Sequence, residues 1–246
     1  VSIWANPIST PYDANGNLKP YIVAPQSRFH SAWSFVNPLF ALQEIKMQQN
    51  TFQNLGLAFA ELEILPNLRF RSSLNTIFEV SKYEQYIPST IGASNRPPTA
   101  GTGASSNSRS NSFDWLIENT LNYDLNKGDH RINALVGYTT QKFTSNTISL
   151  GASPFPNDLI TTINAAQSIT NWGEAINDWS MISYLGRVNY AFRDKYLLTA
   201  TFRSDGSSRF GDENRFAMFP SLAAAWRVSE EDFFQNINWM DEFKIR

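Results

Sequence analysis

The sequence predicts an all-β chain of antiparallel strands, on three observations. From Phe52 onward apolar and polar residues alternate with a period of two, the period at which side chains of a strand point to opposite faces. Aromatic residues make up 14% of the 246 residues and there are 24 Asn, a composition that favours strands joined by turns. The connections between alternating runs are by turns short and long. No apolar run reaches the roughly eighteen residues that a membrane-crossing helix needs, which leaves crossing by strands open.

Residues 1–50 are weakly patterned. Pro7, Pro11, Pro20, Pro25 and Pro38 interrupt any long helix or central strand, and Asp13-Ala14-Asn15-Gly16-Asn17 reads as a turn. Leu39, Leu42 and Ile45 have near-helical spacing, so Pro38 to Gln49 is a short helix or an irregular entry to the next strand. The first strand starts near Phe52 and carries Gly56, Ala58, Ala60, Leu62 and Ile64 against Glu61 and Glu63, and Pro66-Asn67 turns the chain. The second places Phe70, Ser72, Leu74, Thr76, Phe78 and Val80 opposite Arg69, Arg71, Ser73, Asn75 and Glu79. The stretch 88–112, rich in Ser, Asn, Gly and Pro and including Arg96-Pro97-Pro98, reads as a long external loop or a linker.

A hairpin follows. Phe113, Trp115, Ile117, Leu121, Tyr123 and Leu125 oppose Asp114, Glu118, Thr120, Asn122 and Asp124, then Asn126-Lys127-Gly128-Asp129 turns into Ile132, Ala134, Val136 and Tyr138. A second long polar segment is expected from Thr144 to Trp179. The next hairpin runs through Ile182, Tyr184, Val188, Tyr190 and Phe192, turns at Arg193-Asp194-Lys195, and returns through Tyr196, Leu198, Ala200 and Phe202. One more strand covers about 219–228, and Phe243 to Arg246 begin another, so roughly eight strands are implied.

Two readings remain open at this point. Long connections at one end of the sheet and short turns at the other suit a transmembrane β-barrel, in which closure leaves no unpaired backbone amide in hydrocarbon. Tyr123, Tyr138, Tyr184, Tyr190, Phe192, Tyr196 and Trp226 near strand ends would then sit at the headgroup level. A soluble β-rich carbohydrate-binding module uses the same pattern. Charge narrows the field: 20 Lys and Arg against 22 Asp and Glu give −2, which argues against a nucleic-acid partner. With Cys 0, thiolate chemistry is excluded. The two histidines, His30 and His130, lie in no metal or catalytic motif. No enzyme activity, cofactor or metal is indicated.

The stretch Tyr196-Leu197-Leu198-Thr199-Ala200-Thr201-Phe202-Arg203-Ser204-Asp205-Gly206-Ser207-Ser208-Arg209-Phe210-Gly211, followed by Phe219-Pro220-Ser221 and Trp226-Arg227-Val228-Ser229-Glu230, resembles the SusC/RagA-like branch of TonB-dependent outer-membrane receptors. Asn37-Pro38-Leu39, Leu65-Pro66-Asn67-Leu68-Arg69-Phe70 and His130 to Gly137 fall in the matching order. The resemblance implies an antiparallel transmembrane β-barrel segment of a larger, 22-stranded barrel in the cell outer membrane. It implies TonB-dependent import of oligosaccharides or peptides, as the transporter half of a SusCD-like complex. The implied partners are a SusD-like surface lipoprotein, the TonB complex acting through an N-terminal part, outer-membrane lipid and the oligosaccharide or peptide substrate. Neither a plug nor a barrel-closing C-terminal strand is identifiable in 1–246, so a partial barrel is expected.

On this reading Asn171, Trp172, Asn177 and Trp179 are candidate substrate contacts, flat apolar rings beside amide donors suited to a polar ligand. Asp205, Gly206, Arg209 and Gly211 form a structural loop motif, with Asp205 and Arg209 expected to pair or cap in a tight turn. Arg69, Arg71, Glu79, Arg187 and Arg203 are lumen-facing candidates.

Overall fold

The computed structural model describes residues 10–24, 33–91, 103–211, 214–234 and 240–246; His30, Pro7, Pro25 and the Arg96-Pro97-Pro98 run lie outside the described residues. A two-stranded antiparallel sheet, β1 (Tyr21–Ala24) with β2 (Trp33–Val36), is followed by a helix, α1 (Pro38–Glu44). Eight strands then form one sheet: β3 (Lys46–Leu65), β4 (Leu68–Ile87), β5 (Ala104–Lys127), β6 (His130–Ala152), β7 (Ile169–Phe192), β8 (Tyr196–Ser207), β9 (Phe216–Arg227) and β10 (Lys244–Ile245). Their spatial order is their chain order, an antiparallel meander with β3 and β10 at its edges.

Short turns carry the backbone that their residues favour. Pro66 followed by Asn67 at φ 77° is the order of a type II turn, Gly128 takes φ 57°, and Arg193 and Asp194 form an adjacent left-handed pair at 55° and 54°, as in a type I′ hairpin. The Asp13 turn forms as expected: its Oδ1 accepts the amides of Asn15 and Asn17, each at 2.9 Å. Helix α1 begins where Asn37 Oδ1 accepts the Leu39 amide at 3.2 Å with Pro38 at the first helical position. Ile45 turns extended and β3 starts at Lys46, so the segment is helix first and strand entry second.

Strands reach into both expected long loops, over 104–112 in the first and over 144–152 and 169–179 in the second. β5 starts at Ala104 rather than Phe113, β6 continues to Ala152, and β7 starts at Ile169. Ser, Asn and Thr imitate loop composition, but here they bond across strands: Ser110 Oγ with Thr147 Oγ1 at 2.9 Å, Ser149 Oγ to Ser108 Oγ at 3.3 Å, and Asn146 Nδ2 to Glu174 Oε1 at 2.6 Å. A strand polar on both faces has no hydrophobic alternation to read. For the same reason Tyr138 and Tyr184 stand well inside β6 and β7, not at their ends. The pair β1 and β2, four residues each, was too short to show a period.

The chain divides into two compact units, one of residues 1–52, 79–111 and 146–176, the other of 53–78, 112–145 and 177–246. The first has a small apolar core of Ile22, Val36, Tyr86, Ile91, Ala152 and Phe155, all buried. Asn37, 0% exposed, anchors it by donating from Nδ2 to the carbonyls of Pro11 and Lys19. The second unit leaves large apolar residues in the open, among them Leu222 at 75%, Met218 at 69% and Phe202 at 45%.

Candidate functional site

The register of β7, β8 and β9 sorts the second unit into two faces. Residues directly opposite share a face, and the pairs Gly186↔Phe202, Val188↔Ala200, Tyr190↔Leu198 and Phe192↔Tyr196 continue into Tyr196↔Trp226, Leu198↔Ala224 and Ala200↔Leu222. That face is apolar. The other carries Ser183↔Asp205, Arg187↔Thr201 and Asn189↔Thr199, interrupted by Leu185 and Phe219 beside Arg203.

The polar face is joined by a row of side-chain hydrogen bonds across five strands. Thr199 Oγ1 donates to Asn189 Oδ1 (2.9 Å), Asn189 Nδ2 to Asn133 Oδ1 (3.2 Å), Asn133 Nδ2 to Asp124 Oδ1 (2.7 Å), and Arg69 Nη2 to Asp124 Oδ2 (3.3 Å). Gln141 Nε2 reaches both oxygens of Asp114 at 3.0 Å. The apolar face has an aromatic row instead: His130 against Phe192 at 5.0 Å, Phe192 against Tyr196 at 6.3 Å, and Tyr196 against Trp226 at 6.4 Å. His130 Nδ1 and the Tyr190 hydroxyl share a 2.8 Å hydrogen bond.

Glu231, which sequence reasoning missed, gathers the polar edges of that row. Its Oε1 accepts from the Tyr196 hydroxyl (2.7 Å) and Trp226 Nε1 (3.1 Å), and Lys195 Nζ lies 3.2 Å from Oε2. Donation from Tyr196, then from Trp226, and the charge of Lys195 hold its carboxyl below the usual carboxylate range against the effect of burial. Two turns are clasped reciprocally alongside, Arg193 to Asp129 at 2.8 Å and Arg131 to Asp194 at 2.9 Å.

Among the lumen candidates, Arg69 binds Asp124, Arg71 lies over the Phe59 ring at 4.5 Å, and Arg203 Nε holds both oxygens of Asp205 at 2.8 Å. Arg187 stands opposite Thr201, and Glu79 is half-buried in β4. The loop motif differs from expectation. Asp205 and Arg209 do not pair, because β8 continues to Ser207 and leaves Asp205 within the strand, two residues from Arg203 on the same face. Arg209 turns to Asn177 Oδ1 (3.4 Å) and to the Trp179 ring (5.4 Å), and Trp179 stacks on Phe143 at 5.8 Å. Gly206 lies in close approach: a Cβ there would stand 2.5 Å from the Phe216 ring, which would have to shift, whereas Gly211 meets nothing. Asn171 and Trp172 lie in β7 in the first unit, with Trp172 78% exposed.

In the first unit the connection after β6 is fastened by Asp158, also missed in the sequence. Its Oδ1 accepts from the Tyr86 hydroxyl (2.7 Å) and the Ser89 amide (2.9 Å), and its Oδ2 from the Ser89 hydroxyl (2.6 Å). Burial works to raise the Asp158 pKa, but the two Ser89 donors and Tyr86 outweigh it and hold the carboxyl below its ordinary value. The Tyr86 ring meets Phe155 edge-on at 5.0 Å, and Gly103 fits between them where a Cβ would stand 2.8 Å from the Tyr86 hydroxyl. An isolated Asp in a polar stretch carries no local signal of such a role.

No protein-family model matches the chain. It is 36% identical over 203 residues to TonB-dependent receptor P26 of Formosa agariphila, an alignment covering 80% of this chain and 20% of that protein. TonB-dependent receptor P3 of the same organism is 31% identical over 191 residues, 76% of this chain and 19% of that protein. TonB-dependent receptor SusC of Bacteroides thetaiotaomicron is 46% identical over 67 residues, 27% of this chain and 7% of SusC. The chain spans about one fifth of the length of the curated relatives it matches over most of its own length. Among solved structures, the RagAB peptide transporter superposes with a TM-score of 0.80 at 18% identity, over 95% of this chain and 26% of that one. The RagAB peptide importer in its closed-closed state gives 0.80 at 20% identity, over 95% and 25%. Shared sequence over four fifths of the chain and a shared fold over nearly all of it make this protein a homologue of the SusC/RagA-type TonB-dependent outer-membrane receptors.

Proposed function

We propose that the chain is part of the wall of a 22-stranded outer-membrane barrel that imports peptides or oligosaccharides by a TonB-dependent mechanism. The observation that carries the reading is the segregation of faces across β7, β8 and β9, apolar with an aromatic row on one side and hydrogen-bonded polar on the other. Exposed apolar residues on a single sheet are costly in water and ordinary in lipid, and the polar row belongs to a water-filled lumen. Strands β8 and β9, 12 residues each, exceed the roughly 9–11 tilted residues that cross a bilayer. The homology favours this reading over a soluble carbohydrate-binding module.

The partners of this reading are a SusD-like surface lipoprotein and the TonB complex, and Arg69, Arg71, Glu79, Arg187 and Arg203 face the lumen. Its support for peptides is the fold shared with a peptide importer. Its support for sugars is the exposed Trp172 ring, with Asn171, Asn177 and Trp179 kept as individual substrate contacts. Deleting the gene and restoring it, with and without an active TonB complex, tests the reading through uptake of labelled peptides and oligosaccharides. Energy-dependent uptake that follows the gene, from a protein extracted only with detergent, is the expected result. A protein recovered without detergent, or uptake indifferent to the deletion, overturns it.

A further inference from the structure

The first unit contains a cleft of about 690 Å³, within the size range of ligand sites, lined from β3 by Lys46 and Gln48, from β4 by Glu84, from β5 by Asn107 and Arg109, and from the following connection by Asn164. None of the sequence-predicted site residues lines it. Its chemistry is specific. Arg109 is exposed and has no hydrogen-bond or ionic partner among the described residues. Lys46 also lines the cleft, near enough to Asp158 to contribute to lowering its pKa. Glu84 is already paired with Lys82 at 2.7 Å. The available charge is therefore cationic, set among amide donors and acceptors. The one aromatic side chain in the lining, Tyr86, is 4% exposed with its hydroxyl committed to Asp158 and its ring against Phe155, so no flat face is offered for a sugar to stack on.

We propose that this cleft binds a peptide segment bearing a carboxylate, with Arg109 making the charged contact, Lys46 supporting it and the amides of Gln48, Asn107 and Asn164 meeting the peptide backbone. Asp158 is a positioning residue: by fastening the connection after β6 it holds residues 161–164 along the cleft. The proposal rests on the transport reading for its biological meaning. The segment comes either from free substrate or from the extended chain of a lipoprotein partner, and the carboxylate chemistry is the same.

The full-length receptor in detergent is titrated with fluorescein-labelled tetraglutamate, with maltoheptaose, and with its purified lipoprotein partner. Arg109→Ala and Lys46→Ala, both at exposed positions, should each weaken one peptide source about tenfold or more and leave maltoheptaose unchanged, and Arg109→Lys should retain part of the affinity that Arg109→Ala loses. Loss with tetraglutamate assigns free substrate, and loss with the lipoprotein alone assigns the partner's segment. Unchanged affinity for both, or loss of maltoheptaose instead, overturns the cleft. Wild-type energised uptake measured in parallel separates the two readings: if it persists while the variants bind normally, the cleft fails alone.

Discussion

Removing the Asp158 carboxylate should release the connection after β6 without unfolding the sheet. Three donors converge on it at 2.6 to 2.9 Å. Hydrogen bonds to a charged group contribute about 1.5–3 kcal/mol each, but they share one half-exposed carboxylate that water partly replaces, so Asp158→Ala should cost about 3 kcal/mol of local stability. That is about a hundredfold in the opening equilibrium. Hydrogen exchange by mass spectrometry on the full-length receptor reads it directly, as faster exchange in 86–91 and 153–168 with 114–124 unchanged. The acid dependence has a definite sign. Because the folded carboxyl titrates below its unfolded value of about 3.9, its contribution is complete above that value and is lost as pH falls through the folded one. Exchange, corrected for its intrinsic pH dependence, should therefore stay flat from neutrality down to about pH 5 and accelerate only below it. Asp158→Asn should remove that acceleration. A change under about threefold in Asp158→Ala would refute the assignment of three charged bonds to this side chain.

Glu231→Gln removes the nearer counter-ion of Lys195 and weakens the acceptor for Tyr196 and Trp226, so the Trp226 emission, isolated by difference against Trp226→Phe, should shift towards the red. In the wild type the same shift should appear only as acid protonates Glu231 below the ordinary carboxylate range. Gly206→Ala drives a Cβ into the Phe216 ring and should cost about 1 kcal/mol in urea unfolding of the detergent-solubilised receptor. Because that ring is the free end of a side chain, Phe216→Ala should abolish the penalty in a double-mutant cycle. Asn67→Ala places a Cβ-bearing residue that lacks local hydrogen bonding at φ 77° and should cost about 1 kcal/mol by the same assay, whereas Asn67→Gly should be neutral or better.

The period of two, the turn residues at Asn67, Gly128 and Arg193-Asp194, and the ordered match from Tyr196 to Glu230 were legible by themselves, because each is a property of neighbours along the chain. Alternation assigned residues to opposite faces, and the register of β7, β8 and β9 kept them there. What the chain could not show locally was pairing at a distance. The strand ends at 104, 152 and 169 depend on Ser, Asn and Thr finding partners on the next strand, and without those partners the same residues read as loop. Arg209 finds Asn177 and Trp179, and Asp205 finds Arg203, because strand length decides which side chains remain in the turn. Asp158 and Glu231 are plain carboxylates until the fold brings Tyr86 and Ser89 to one, and Lys195, Tyr196 and Trp226 to the other. Where a strand alternates, local sequence determines which way a side chain points; only the tertiary structure determines what waits for it there, since that depends on where each strand ends and on partners that are often far away along the chain.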